Sequence, residues 1–394
     1  MAGNGNNVKK TGLAIALILL SVFAFVFFIL MERNENKKIA EQLAEIAKQQ
    51  NLEKKTLIEK VSAEYDVDAA VVAKYLPGIV CWGDSLTAGA GGNGVTYPKA
   101  LEAYIRKEIC NQYSLISQLS GEATYLIDAS DYEIKIPVVN MGVGGENTLT
   151  ISGRNGAIPY VVSQEFTIPK SKIPVEISFT SQNGEKVAPL RQGDQGVNPV
   201  VIDGVEGVLS IRQESSDSEE YTYYFTRTTV GDSKSIQPGK EIITAASQEN
   251  LDYITVIFMG QNGGYTGFED LIRQQRAIIE HQTANKDRYI IVGLHTGTAE
   301  SRNALETALE NEYGAHYINL REYMSTQAMT DAGLIPTDAD IEKMQMGATP
   351  DSLLTDVVHF NSVGYELVGK LIYKRMDELG YFNEVREALA HNFE

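Results

Sequence analysis

The 394-residue chain has only two cysteines, Cys81 and Cys110, so a disulfide framework is excluded. Both read as ordinary buried thiols, Cys81 in a core strand and Cys110 near a helix end. Metal-site spacing is also missing: there is no CxxC, no HxxxH, and the five histidines are scattered. Neither a metal nor a cofactor is expected. Basic residues are scarce, 34 Lys and Arg against 52 Asp and Glu, giving a formal net charge of −18. That balance argues against a nucleic-acid partner, whose phosphates need clustered Lys and Arg. A hydrophobic content of 43% is that of a globular protein and not of a disordered chain.

Charge is absent altogether from Thr11 to Met31, a run of Leu, Ile, Val, Phe and Ala long enough to match a bilayer core. Directly after it comes Glu32-Arg33-Asn34-Glu35, with no small-x-small cleavage site, so the run reads as an uncleaved anchor and not a signal peptide. Lys9 and Lys10 on one side and Arg33, Lys37 and Lys38 on the other leave the positive-inside count undecided. By analogy with signal anchors, the short tail (1–10) stays inside and the rest is extracytoplasmic, a single-pass membrane protein. Residues 32–76 lack glycine and proline and suit a solvated helical stalk. Ile39, Leu43 and Ile46 start a heptad that Gln50 and Glu53 break, so self-association through the stalk is the lesser alternative.

From Pro77 the pattern is strand then helix. Strands are expected at 79–82, 134–139, 253–259, 288–294 and 316–320, and helices at 98–119, 267–283, 299–313 and 362–379. Near-continuous apolar strands alternating with helices imply a parallel sheet covered on both faces. Residues 151–250 break that rhythm. Val175, Ile177 and Phe179 alternate with polar residues, Asn183-Gly184 suits a hairpin, and Tyr221, Tyr223 and Phe225 alternate again after the acidic stretch Glu214–Glu220. This is a β-rich insertion between two pieces of one α/β domain, 77–150 and 251–394. Its acidic stretch reads as a solvated loop, and its tyrosines as sheet core before sugar-stacking platforms.

The run Ile79-Val80-Cys81-Trp82-Gly83-Asp84-Ser85 delivers a serine from a buried strand into a glycine-rich turn, where open α/β sheets hold their ligands. A serine nucleophile needs a base, and the base needs an acid to fix its tautomer. Asp356-Val357-Val358-His359 supplies both: the three-residue spacing lets the carboxylate reach one imidazole nitrogen while the other faces outward. His281, His316 and His391 suit the role less well. His295, at a strand end beside Thr296 and Gly297, stays in consideration. Oxyanion donors are available after two other strands, from the glycines of Asn140-Met141-Gly142-Val143-Gly144-Gly145-Glu146-Asn147 and from the amide of Asn262 in Gly260-Gln261-Asn262.

Taken together, Gly83-Asp84-Ser85-Leu86, the Gly145 loop, Gly260-x-Asn262 and Asp356-x-x-His359 resemble the four blocks of the SGNH (GDSL-type) hydrolases. The resemblance covers about 77–150 and 251–380 and omits anchor, stalk and insertion. It implies a flavodoxin-like three-layer α/β/α sandwich with a five-stranded parallel sheet. It further implies Ser85 as nucleophile, His359 as base oriented by Asp356, and the Ser85 N–H, Gly145 N–H and Asn262 amide as oxyanion donors, with Gly83, Asp84 and Gly260 shaping the loops. Gly263 stands where the family usually has Asp, which bears on loop geometry. The expected activity is that of a membrane-anchored serine esterase acting through an acyl-Ser85 intermediate, on O-acetyl groups of cell-surface carbohydrate or on lipid esters. An O-acyltransferase using the same residues is one alternative. A glycan-binding or scaffold protein with a vestigial hydrolase core is another.

Overall fold

Five apolar runs become five parallel strands: β1 (Ile79–Gly83), β2 (Val138–Gly142), β12 (Ile254–Phe258), β13 (Tyr289–Val292) and β14 (Tyr317–Ile318). Every residue of β1, β12 and β13 is buried, which explains why these strands read as continuous apolar runs and do not alternate. In two strands the shift from the expected bounds has a plain local cause. Pro137 has no N–H to give a ladder, so the second strand runs from Val138, four residues beyond the expected start. The last shrinks to two residues because His316 is taken into a 3-10 turn (Gly314–His316) and Asn319 caps a helix that starts at Leu320.

The computed structural model describes residues 78–110, 136–213 and 221–391, with Lys48 and Leu76. The expected tail, the membrane anchor (11–31), the stalk apart from those two residues, the second half of helix 98–119 and the acidic stretch lie outside the described residues. No helix among the described residues is long and apolar enough to cross a membrane. The described residues from Leu76 onward belong to one compact unit, and all that follows concerns it.

The sheet order is β14-β13-β12-β1-β2, with every neighbouring pair parallel. The helices are α1 (Ser85–Ala88), α2 (Tyr97–Ile105), α3 (Thr148–Asn155), α4 (Phe268–His281), α5 (Ala299–Tyr313), α6 (Leu320–Thr326), α7 (Ala328–Asp331), α8 (Asp338–Gln345), α9 (Ser362–Glu378) and α10 (Asn383–His391). From β1 the chain crosses through α2 to β2 on one side. On the other, β12, α4, β13, α5 and β14 step outward. Right-handed crossovers running in opposite directions put α2 and the α4–α5 pair on opposite faces of the sheet, giving three layers. Helix α9 packs on α2 at Gly369, where a Cβ would stand 2.5 Å from Ala100 Cβ. The reversal at β1 and β12 opens a crevice at the strand C-termini, where the ends of β1, β2 and β12 converge.

Helix α3 occupies the start of the stretch expected to be β-rich. Asn147 caps it, accepting from Thr150 N, and Ile151 joins the main core. The β-rich part then runs from β3 (Tyr160–Val162) through β4 (Phe166–Ile168), β5 (Val175–Ile177), β6 (Phe179–Thr180), β7 (Val200–Ile202), β8 (Val205–Gln213), β9 (Tyr221–Arg227) and β10 (Lys234–Ile236) to β11 (Glu241–Ile243). All its pairings are antiparallel: a sheet ordered β5-β9-β8-β7-β11-β3-β6 and the ribbon β10-β4. The outermost strands β5 and β6 are separated only by Ser178 in sequence. A flat seven-stranded sheet would put its edges roughly 29 Å apart at about 4.8 Å per strand, far beyond the reach of two residues. The sheet is therefore rolled. It closes around its own core, which includes Tyr160, Ile177, Phe179, Leu209 and Phe225, with Leu149 of α3 at the joint to the α/β domain.

Candidate active site

Strand β1 ends at Gly83 because no side chain fits there: a Cβ would stand 2.1 Å from Thr87 Oγ1 and 2.3 Å from the Phe258 carbonyl. Asp84 caps α1, its Oδ1 accepting from Leu86 N at 2.9 Å, so Ser85 becomes the first residue of a one-turn helix. Asn140 fastens this turn to β2, donating from Nδ2 to the Thr87 carbonyl and accepting from Gly142 N, each at 2.9 Å.

Ser85 Oγ lies 2.8 Å from His359 Nε2, and His359 Nδ1 lies 2.8 Å from Asp356 Oδ2. The other carboxylate oxygen, Oδ1, accepts from Val358 N at 2.8 Å and His359 N at 2.7 Å. The His359 N–H and ring, together with the Val358 N–H, hold the Asp356 carboxyl down at about 2, so it is an ionised acceptor across the physiological range. An ionised carboxylate only accepts, so Nδ1 carries the hydrogen and Nε2 is left to accept the Ser85 hydroxyl proton. The turn is pinned from outside: Thr355 Oγ1 donates to Gly91 O at 2.9 Å and Tyr365 OH to Ala90 O at 2.7 Å. Asn361 starts α9 just after it, accepting from Gly364 N.

The remaining histidines have other partners. His295 is fully buried, with Nε2 donating to the Val358 carbonyl at 2.8 Å and its ring against Phe360. Burial pushes its pKa down to about 3, and it faces the carbonyl beside His359 and not Ser85. It braces the base from behind. His281 Nε2 meets Ser247 O, and His316 stacks on Tyr289. The His391 side chain lies outside the described residues.

The loop after β2 brings Gly144 beside the serine: a Cβ on Gly144 would lie 4.0 Å from Ser85 Cβ. Gly145 has φ +71°, a conformation glycine adopts without strain. Asn262 Nδ2 donates to the Glu146 carbonyl at 3.0 Å, which holds its amide against the Glu146–Asn147 peptide, and an amide nitrogen carries a second hydrogen. Two further bonds join the β2 and β12 loops, Thr148 N to Gly263 O at 3.0 Å and Thr148 Oγ1 to Gly264 O at 2.7 Å. Gly260 and Gly263 have φ +122° and +70°, so this turn uses glycine conformations where the SGNH pattern has Asp after Asn. Nowhere among the described residues do Ser85 N or Gly145 N donate to another backbone group outside the regular elements.

Sequence reasoning does not reach the residues that hold this loop. Arg154, fully buried on α3, forks onto Glu146 with Nη2–Oε2 at 2.7 Å. It also donates to Met141 O at 2.8 Å and, across to the β-rich part, to Gln195 O at 3.2 Å, and it lies 5.2 Å over the Trp82 ring. The only signal in the sequence is an acid and a base eight residues apart flanking a helix start, which is common on solvated surfaces. Asp84 carries more than the shape of its turn. It is 1% exposed, its Oδ2 has no hydrogen-bond partner, and burial pushes its pKa up to about 7. Cys81 is a buried free thiol whose pKa burial raises, as befits an inert core residue. Among the described residues no cluster of metal-ligating side chains occurs.

No family model and no curated protein sequence matches the chain. Among solved structures it is similar to a peptidoglycan O-acetylesterase, at 12% identity and a TM-score of 0.29, over 82% of this chain and 95% of that one.

Proposed function

We propose that this protein is a serine esterase. The observation that carries the reading is the unbroken chain of hydrogen bonds from Asp356 through His359 to Ser85, with both links at 2.8 Å. In this reading His359 Nε2 takes the Ser85 proton as Oγ attacks the ester carbonyl. Asp356 stabilises the imidazolium that forms and stays ionised itself. On the same reading the Ser85 N–H, the Gly145 N–H and the Asn262 amide are the donors for the tetrahedral oxyanion. His359 then protonates the departing alkoxide, leaving an acyl-Ser85 ester. A water molecule, deprotonated by the same imidazole, releases the acid and restores the serine. We further propose that the apolar run 11–31 anchors the enzyme in a membrane with the site extracytoplasmic, which directs attention to esters of cell-surface carbohydrate.

Full-length protein in detergent, assayed on p-nitrophenyl acetate, tests the mechanism. Ser85→Ala is expected to lower kcat by about 10³-fold or more, since oxyanion binding alone keeps only a residue of the rate. Turnover unchanged in Ser85→Ala would overturn it.

A further inference from the structure

The β-rich part reaches the serine through one loop, 187–198, between β6 and β7. Gln192 lies on its tip, with its carboxamide over the Gly144–Gly145 peptide. A Cβ on Gly144 would stand 2.6 Å from Gln192 Oε1, and one on Gly145 3.1 Å from Nε2. The same point on Gly144 is 4.0 Å from Ser85 Cβ, so Gln192 and the serine flank one small space beside Gly144.

The loop is fixed at both ends. On one side Ala188 N donates to Thr150 Oγ1 at 3.4 Å, Tyr223 OH to Pro189 O at 3.0 Å, and the Arg191 guanidinium lies 4.7 Å over the Tyr221 ring. On the other, Arg154 holds Gln195 O at 3.2 Å and Ala246 N holds Gly196 O at 2.7 Å. Leu190, two residues before Gln192, is held at φ +67°, a conformation that a branched side chain keeps only when its surroundings impose it. Gln192 is therefore presented to the site by a loop braced against both the rolled sheet and α3.

We infer that Gln192 is a specificity-determining residue that walls the acyl side of the site and restricts it to acetyl-sized groups. The inference rests on the esterase reading. It also gives the β-rich part a chemical role, because a bare α/β domain would leave the Gly144 side of Ser85 open to longer chains. A hydrophobic pocket discriminates one methylene by about 10- to 200-fold, so a wall of this kind has a measurable effect.

The test compares kcat/KM for p-nitrophenyl acetate, butyrate and octanoate in the full-length wild type, Gln192→Ala, Gln192→Leu and Ser85→Ala. Gln192→Ala is expected to raise the butyrate-to-acetate ratio by about tenfold while acetate turnover stays within about threefold. Gln192→Leu, which keeps the bulk and drops the amide, is expected to stay near the wild-type ratio. A ratio unchanged in Gln192→Ala, with turnover still dependent on Ser85, would overturn the wall and leave the esterase intact. So would equal relaxation by Ala and Leu. Turnover that survives Ser85→Ala overturns the esterase reading, and the wall with it.

Discussion

The α/β domain and the rolled sheet solve the same problem, burying apolar surface, by different routes. In the α/β domain mostly apolar strands are covered on both faces; Ser85, Gly145 and Asn262 follow strand ends, and Asp356 and His359 sit in the turn before α9. The rolled sheet buries alternate residues of short strands around a separate core, with Leu149 of α3 at its joint to the other. Polar stitches join the two as well, among them Arg154 to Gln195 O and Ala246 N to Gly196 O. The difference teaches where change is tolerated. A strand end in the sheet cannot move without the core, whereas the loop of the rolled sheet can alter the wall of the site and leave the serine turn alone.

Breaking the stitch at Arg154 should have the largest effect. Arg154→Met leaves the Glu146 carboxylate buried without its partner, which costs about 3–5 kcal/mol. Because Gly145 precedes Glu146, the loop that presents its N–H loosens as well. Denaturant unfolding should show a lower midpoint. The double variant Arg154→Met with Glu146→Leu should recover much of the loss, since it removes the orphaned charge. If the single variant unfolds like wild type, the ion pair does not hold the loop.

Much of the α/β domain is legible in the sequence because its signals are local. Strand, glycine, cap and helix follow one another along the chain, and Asp356 and His359 meet within one turn. Other features need the fold to be known. Gln192 is an unremarkable polar residue until the sheet rolls it over Gly144, and His295 and Val358 are 63 residues apart. The helix at Thr148–Asn155 escapes sequence reasoning because Thr150, Ser152 and Gly153 are weak helix formers, and tertiary packing overrides that preference. The closure of the sheet is hidden for another reason. Alternation marks a strand but says nothing of its partner, so β5 and β6, one alternating run in the sequence, are opposite edges of the sheet.

An effect of intermediate size separates the cost built into the serine turn from the stitches outside it. Asp84 has its pKa raised from 3.8 to about 7 by burial, with the charges of His359 and Glu146 acting in opposite directions on it. Between these values the native state binds more protons than the unfolded chain, so this group makes stability fall as pH rises from about 4 to 7. Asp84→Asn keeps a capping oxygen for Leu86 N and carries no charge. It should match wild type near pH 4 and exceed it at pH 8 by a margin on the order of a few kcal/mol. Melting curves at pH 4, 5.5 and 8 check this, and a stability gap that is the same at every pH would show that Asp84 is not the source of the slope.

The smallest expected effect concerns which part of the α/β domain holds the base in line. Nε2–H of His295 donates to the Val358 carbonyl, one peptide from His359, and its ring packs 4.1 Å from that of Phe360. His295→Phe keeps the packing and leaves that carbonyl without a donor, a penalty of about 1–2 kcal/mol. If the loss is felt mainly as misalignment of His359, kcat falls by roughly tenfold while KM barely moves, because substrate binding does not involve this ring. A base located at His295 itself would instead make the substitution as damaging as Ser85→Ala. Steady-state kinetics on an aryl acetate distinguish the two, and His359→Ala, measured alongside, fixes what complete loss of the base looks like.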